Sequence, residues 1–171
     1  VDDIIDCYNT FYNPNNMFII ITGNVNPYEA LAIIEENMKT LEFNNVYIQT
    51  TFTLVGPKEY KGPLKPYFHA HFDDIYLNQK TYEKAEMEMI RNTLINTLKS
   101  INIKEKDIGM GFGGDLTNQI ACTNHALKEF NFPFVGVYGA CSTSMLSLAL
   151  ASMYVDNYGD YAICFSASHN A

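Results

Sequence analysis

The sequence predicts an α/β protein built on a parallel sheet, and three observations carry that prediction. Apolar runs of strand length alternate with longer runs of helical period from residue 81 onward. Glycine, proline and asparagine punctuate the joins between them. From residue 108 the runs read strand, helix, strand, helix, strand, and this βαβαβ order calls for a parallel sheet with helices on its faces.

Taken in order, residues 4–11 read as a helix end, stopped near Asn13-Pro14, and Met17 to Thr22 as a short buried strand. Asn26 reads as the cap of a helix with Pro27 at its first position, running to about Met38. An extended run, Val46 to Leu54, leads into a loop holding Gly56, Pro57, Gly62, Pro63 and Pro66. Ala85, Met89, Ile90, Leu94 and Leu98 give an amphipathic helix from about Thr81 to Ser100. Strand Ile108–Phe112, helix Leu116–Phe130, strand Phe134–Tyr138, helix Ser142–Asp156 and strand Tyr161–Ser166 follow. The expected whole is a βαβαβ parallel sheet with helices on both faces, preceded by a short α-β-α segment.

At 171 residues, 47% of them hydrophobic, the chain has the make-up of one globular domain or slightly more. Its net charge of −8, without a Lys/Arg cluster, argues against nucleic acid and against a polybasic membrane footprint. Cys7, Cys122, Cys141 and Cys164 follow neither a zinc spacing nor a disulfide framework, so a reduced, intracellular setting is expected. No signal peptide opens the chain, and its apolar runs fall short of the roughly 20 residues that span a bilayer. It starts with Val1 and stops at Ala171 just after an apolar strand, which reads as a piece of a longer protein. Acids dominate to about Met38, and the signs are mixed from Lys39 onward.

Cys141 is the residue with the most chemistry in it. It sits in Gly139-Ala140-Cys141-Ser142-Thr143-Ser144, between a strand and a helix. A tight turn there places the sulfur over a helix N-terminus, where free N–H groups and the helix dipole favour a thiolate. The same groups hold a carboxylate or an oxyanion. Nucleophile and anion cradle are both open on this ground. His169, in Ser168-His169-Asn170, also follows a strand, and ligands gather at strand carboxyl ends in open parallel sheets. Cys141 and His169 are therefore candidates to share a crevice.

Other motifs read as structure. Gly109 to Gly114 fits GxGxxG by letter, yet its glycines lie within the strand, where they allow close packing. His69 and His71, beside Asp73 and Asp74, read as solvated loop residues. Cys122 and His125 read as ordinary residues of one helix, and no metal site or cofactor is expected.

Residues 43–171 resemble the stage V sporulation protein AD family, thiolase-like proteins of endospore-forming bacteria. The resemblance rests on Val55-Gly56-Pro57-Lys58-Glu59, Gly62-Pro63-Leu64, Asn78-Gln79-Lys80, Gly114-Asp115-Leu116 with Asn118-Gln119, Gly139 to Met145, and Ser168-His169-Asn170-Ala171. It implies the first part of a thiolase-like fold, with the second half absent. Cys141 matches the position acylated in the condensing enzymes of that fold, whose partners come from the second half. An acyltransferase using Cys141 is thus the alternative reading, and the chain is expected not to be an enzyme.

What the family implies is binding of dipicolinate (pyridine-2,6-dicarboxylate) or its calcium chelate, for uptake into the forespore. The implied partners are membrane proteins of the stage V sporulation A operon, and a homodimer is possible by analogy. The implied location is the cytoplasm, at the periphery of the forespore or spore inner membrane. Cys141, Ser142, Thr143, Ser144, His169, Asp115 and Asn118 are the expected ligand-binding residues.

Residues 1–42 are similar to insulinase/pitrilysin-type metallopeptidases. The likeness lies in Tyr8-Asn9-Thr10-Phe11-Tyr12, Asn16-Met17-Phe18 and Thr22 to Pro27. That family's zinc ligands and catalytic glutamate are not in this stretch, so an inactive remnant joined near residues 39–43 is the expectation.

Overall fold

The computed structural model describes residues 43–169, together with residues 26, 28 and 29. The chain divides into two compact units, Val1–Leu41 and Glu42–Ala171. In the first, Asn26 Oδ1 accepts the backbone N–H of Tyr28 at 3.0 Å, at the expected helix cap. The other expectations for residues 4–38 lie outside the described residues.

The second unit opens with a small parallel pair, β1 (Leu54–Val55) and β2 (Ala70–His71). The expected extended run thus contributes only its last residue to a strand. The intervening loop holds two 3-10 turns, Glu59–Lys61 and Lys65–Tyr67. Helix α1 (Tyr82–Ser100) follows, capped by Thr81, whose side chain accepts the N–H of Lys84 at 3.3 Å.

The main sheet has three parallel strands: β3 (Met110–Gly114), β4 (Phe134–Gly136) and β5 (Ala162–Ser166). Their spatial order is β4-β3-β5, with Phe112 opposite Val135 on one side and Cys164 on the other. Short helix α2 (Ala121–Ala126) joins β3 to β4, and α3 (Thr143–Asn157) carries the chain past β3 to β5. These connections run in opposite directions along the sheet. Right-handed crossovers therefore put α2 and α3 on opposite faces. This is the expected α/β architecture.

One face is closed by α1 and α2. Ile90, Leu94 and Leu98 of α1 pack with Cys122, Ala126, Phe132 and Ile163. Leu94 is 1% exposed, and burying such a side chain contributes on the order of 2 kcal/mol. On the other face α3 packs on β3 and β5, and Tyr154 lies 6.2 Å, centroid to centroid, from Phe112. The glycines of β3 make room for aromatics. A Cβ on Gly111 would stand 2.6 Å from Phe132 Cε2, and one on Gly113 2.6 Å from Phe165 Cε1. They are packing glycines inside a strand and form no phosphate-binding loop.

The expected helix over residues 116–130 is broken into a 3-10 turn (Asn118–Ile120), α2 and a second 3-10 turn (Leu127–Glu129). Gln119 and Ile120 adopt positive φ, 59° and 48°, which no α-helix accommodates. Ile120 is nevertheless well housed, because its side chain packs where Gly114 and Gly136 lack one. Among the described residues, no helix is long and apolar enough to cross a membrane.

Candidate ligand site at the carboxyl ends of the strands

The elbow around Cys141 is closed by its own hydroxyls. Ala140 takes φ 49°, and a 3-10 turn (Ala140–Ser142) leads directly into α3. Ser142 donates its hydroxyl to the Gly139 carbonyl at 2.6 Å, and Thr143 Oγ1 accepts the Gly139 N–H at 3.1 Å. Thr143 is 2% exposed, whereas Cys141 and Ser144 are exposed. Two of the four residues named from sequence therefore hold the turn, and the other two face outward.

Beside the elbow is a hollow of ≈170 Å³. The end of β3 lines it with Asp115 and Leu116, the elbow with Ala140, Cys141, Thr143 and Ser144, and the end of β5 with Ser166, Ala167 and Ser168. The chain leaves β3 toward one face of the sheet and β4 toward the other. Adjacent strands with diverging connections leave a crevice, the usual ligand position in such sheets. Ser142 is not among the lining residues.

Asp115 is 1% exposed, and both its oxygens are engaged. Oδ1 accepts the Thr117 N–H at 2.8 Å and also the Thr117 hydroxyl; Oδ2 accepts the Thr123 N–H at 2.6 Å. It thus ties the loop after β3 to the start of α2. Asn118 is exposed and lies outside the lining.

His169 is not brought to Cys141. It lines a separate hollow, also ≈170 Å³, between α1 and the segment after β5. Its Nε2–H donates to the Ile75 carbonyl at 2.6 Å, which fixes the tautomer, and the ring lies edge-on to Tyr82. Ser166, Ala167 and Ser168 line both hollows, so this segment separates the two residues. The shared crevice expected from sequence is corrected accordingly.

The structure adds Glu86, which the sequence reading passed over. It is 3% exposed and lines the second hollow, and among the described residues its Oε1 has no hydrogen-bond partner. Burial, reinforced by the negative charge of Asp115, pushes its pKa up to about 7, although the Cys122 thiol and the His169 backbone N–H draw it down. Burial pushes the Cys122 thiol itself up to about 12, with Glu86 adding to the rise. The available signal was positional. Glu86 heads the buried row Ile90, Leu94, Leu98 at intervals of four residues.

The remaining motifs are structural. His69 Nδ1 accepts the Thr53 N–H at 3.2 Å. His71, in β2, stacks on Tyr60 with centroids 3.4 Å apart. Both histidines are therefore tied into the β1–β2 region. Cys122 is buried and His125 exposed, so they do not form a pair. Among the described residues, no three His, Cys, Asp or Glu side chains are grouped to hold a metal.

Comparison with known proteins decides the family. The sequence model for stage V sporulation protein AD (SpoVAD) matches residues 37–171. The chain belongs to the stage V sporulation protein AD family. Stage V sporulation protein AD of Bacillus subtilis (strain 168) is 35% identical over 127 residues, which is 74% of this chain and 38% of that relative. The chain therefore spans about two-fifths of the length of the relative it matches. The family it belongs to is named for stage V of sporulation, and the parallel α/β unit agrees with the first part of a thiolase-like fold.

Proposed function

We propose that the stage V sporulation protein AD unit binds dipicolinate, free or as its calcium chelate, in the hollow beside Cys141. The observation that carries this reading is the meeting of the ends of β3 and β5 with the elbow around a small hollow fronted by exposed Cys141 and Ser144. Its ≈170 Å³ equals five or six water molecules at about 30 Å³ each, the scale of a single-ring molecule. Hydroxyls of Ser144, Ser166 and Ser168, together with the start of α3, supply donors for carboxylates. The engaged oxygens of Asp115 soften its repulsion of an anion. The net charge of −8 still opposes a free dianion and favours the chelate. In this reading the protein serves dipicolinate uptake into the forespore, at the membrane face of an operon-encoded channel.

Binding is favoured over acyl transfer by the surroundings of Cys141. The titratable neighbour in its hollow is Asp115, whose oxygens are engaged, and His169 is on the far side of Ser166–Ser168. An acyl-CoA should leave the mass of the protein unchanged. Stoichiometric acylation of Cys141 would favour the acyltransferase instead.

Calorimetric titration of the 171-residue chain with dipicolinate, with and without calcium, tests the proposal. Saturable binding that Ser144→Leu abolishes is expected, because that exposed position can fill the hollow without disturbing the core. Unchanged affinity in a folded Ser144→Leu variant would place the ligand elsewhere.

A further inference from the structure

We propose that the hollow lined by Glu86 is a second ligand site, built for a small alkylammonium compound. It stands apart from the dipicolinate reading, because it opens on the other side of Ser166–Ser168.

Three features of the hollow specify the ligand. Its rim carries the exposed Ser166 and Ser168, and its depth holds buried Glu86, Ile90, Leu94 and His169. Leu54, Met89, Leu94 and Phe165 give its lining an apolar part. Its lining includes the Glu86 carboxyl group, 3% exposed, one oxygen of which has no donor among the described residues. A buried acceptor in that state costs about 1–3 kcal/mol, and more when ionised. An ammonium ion removes that cost with a charge-assisted hydrogen bond, while its alkyl stem replaces water along the apolar part of the lining.

Among the described residues, the other groups around Glu86 do not supply the cation. Asp115 at the end of β3 and Glu83 on α1 are acidic, and Cys122 on α2 is held as a neutral thiol by burial. His169 approaches through its backbone N–H, and its ring Nε2–H is engaged by Ile75. The local charge is thus negative and unbalanced whenever Glu86 is ionised, which favours a cation over an anion here.

The test is NMR titration of the full chain with n-butylammonium chloride. Expected are saturable shifts at Glu86, Thr93 and Leu94, with Cys141 and Ser144 unmoved. Tetramethylammonium, which has no N–H, should bind far more weakly. With Glu86 titrating near 7, affinity should fall about 30-fold from pH 8 to pH 5.5. Glu86→Gln should abolish the pH dependence and most of the binding. The wild-type pH profile decides the matter even if that variant does not fold. No shifts at tens of millimolar would mean that the hollow holds only water, and would overturn the proposal. So would an affinity equal at both pH values or equal in Glu86→Gln.

Discussion

Asp115 Oδ2 accepts the backbone N–H of Thr123 at 2.6 Å, across a stretch of eight residues. That bond, with those to Thr117, holds two consecutive left-handed residues, Gln119 and Ile120, between fixed ends. Charge-assisted bonds of this kind contribute about 1.5–3 kcal/mol each. Asp115→Ala should therefore lower stability by about 3 kcal/mol or more, read as a shift in the urea midpoint. A loss below about 1 kcal/mol would mean that α2 is held by packing alone.

The elbow makes a parallel prediction. Thr143→Val keeps shape but removes the acceptor for the Gly139 N–H, at a position 2% exposed. The expected loss is about 1–3 kcal/mol. Thr143→Ser, which keeps the hydroxyl, should recover most of it in the same denaturation measurement.

Gly113 and Phe165 compete for one space in the sheet. A Cβ at Gly113 would also stand 2.7 Å from the Phe165 backbone oxygen. Gly113→Ala should cost about 1–3 kcal/mol by overpacking. Phe165→Leu should relieve only the side-chain part, so the double variant should show partial coupling in a mutant cycle.

Glu86 predicts a pH dependence. Its folded pKa, about 7, lies above its ordinary 4.5, so the unfolded chain gives up this proton first as pH rises. The folded state is therefore favoured at low pH, and this contribution falls as pH rises from 4.5 to about 7, by on the order of 3 kcal/mol. Glu86→Gln should accordingly be more stable than the parent at pH 8 and close to it at pH 4. Chemical denaturation at both pH values checks the sign.

From the chain alone, the strand-to-helix order from residue 81 and the place of Cys141 in the turn between a strand and a helix were legible, because apolar period and turn residues act locally. The order β4-β3-β5 was not, since it depends on which way each crossover runs. Nor was it legible that His169 lines the hollow beside α1 while Cys141 lines the other. The break at Gln119-Ile120 escaped notice because neither residue prefers positive φ; the Asp115 bonds and the space above Gly114 and Gly136 impose it. Glu86 was missed because an acidic residue near a helix start normally faces water. Ser142 and Thr143 were read as ligand donors, although a turn this tight engages its own hydroxyls first.

The most direct test of the ligand site is footprinting of Cys141. Its thiol is exposed while Cys122 is buried, so a maleimide should label Cys141 rapidly, as read by peptide mass spectrometry. Saturating dipicolinate, with calcium, should slow labelling of Cys141 at least tenfold and leave Cys122 unchanged. A labelling rate at Cys141 that dipicolinate does not alter would contradict the site proposed here.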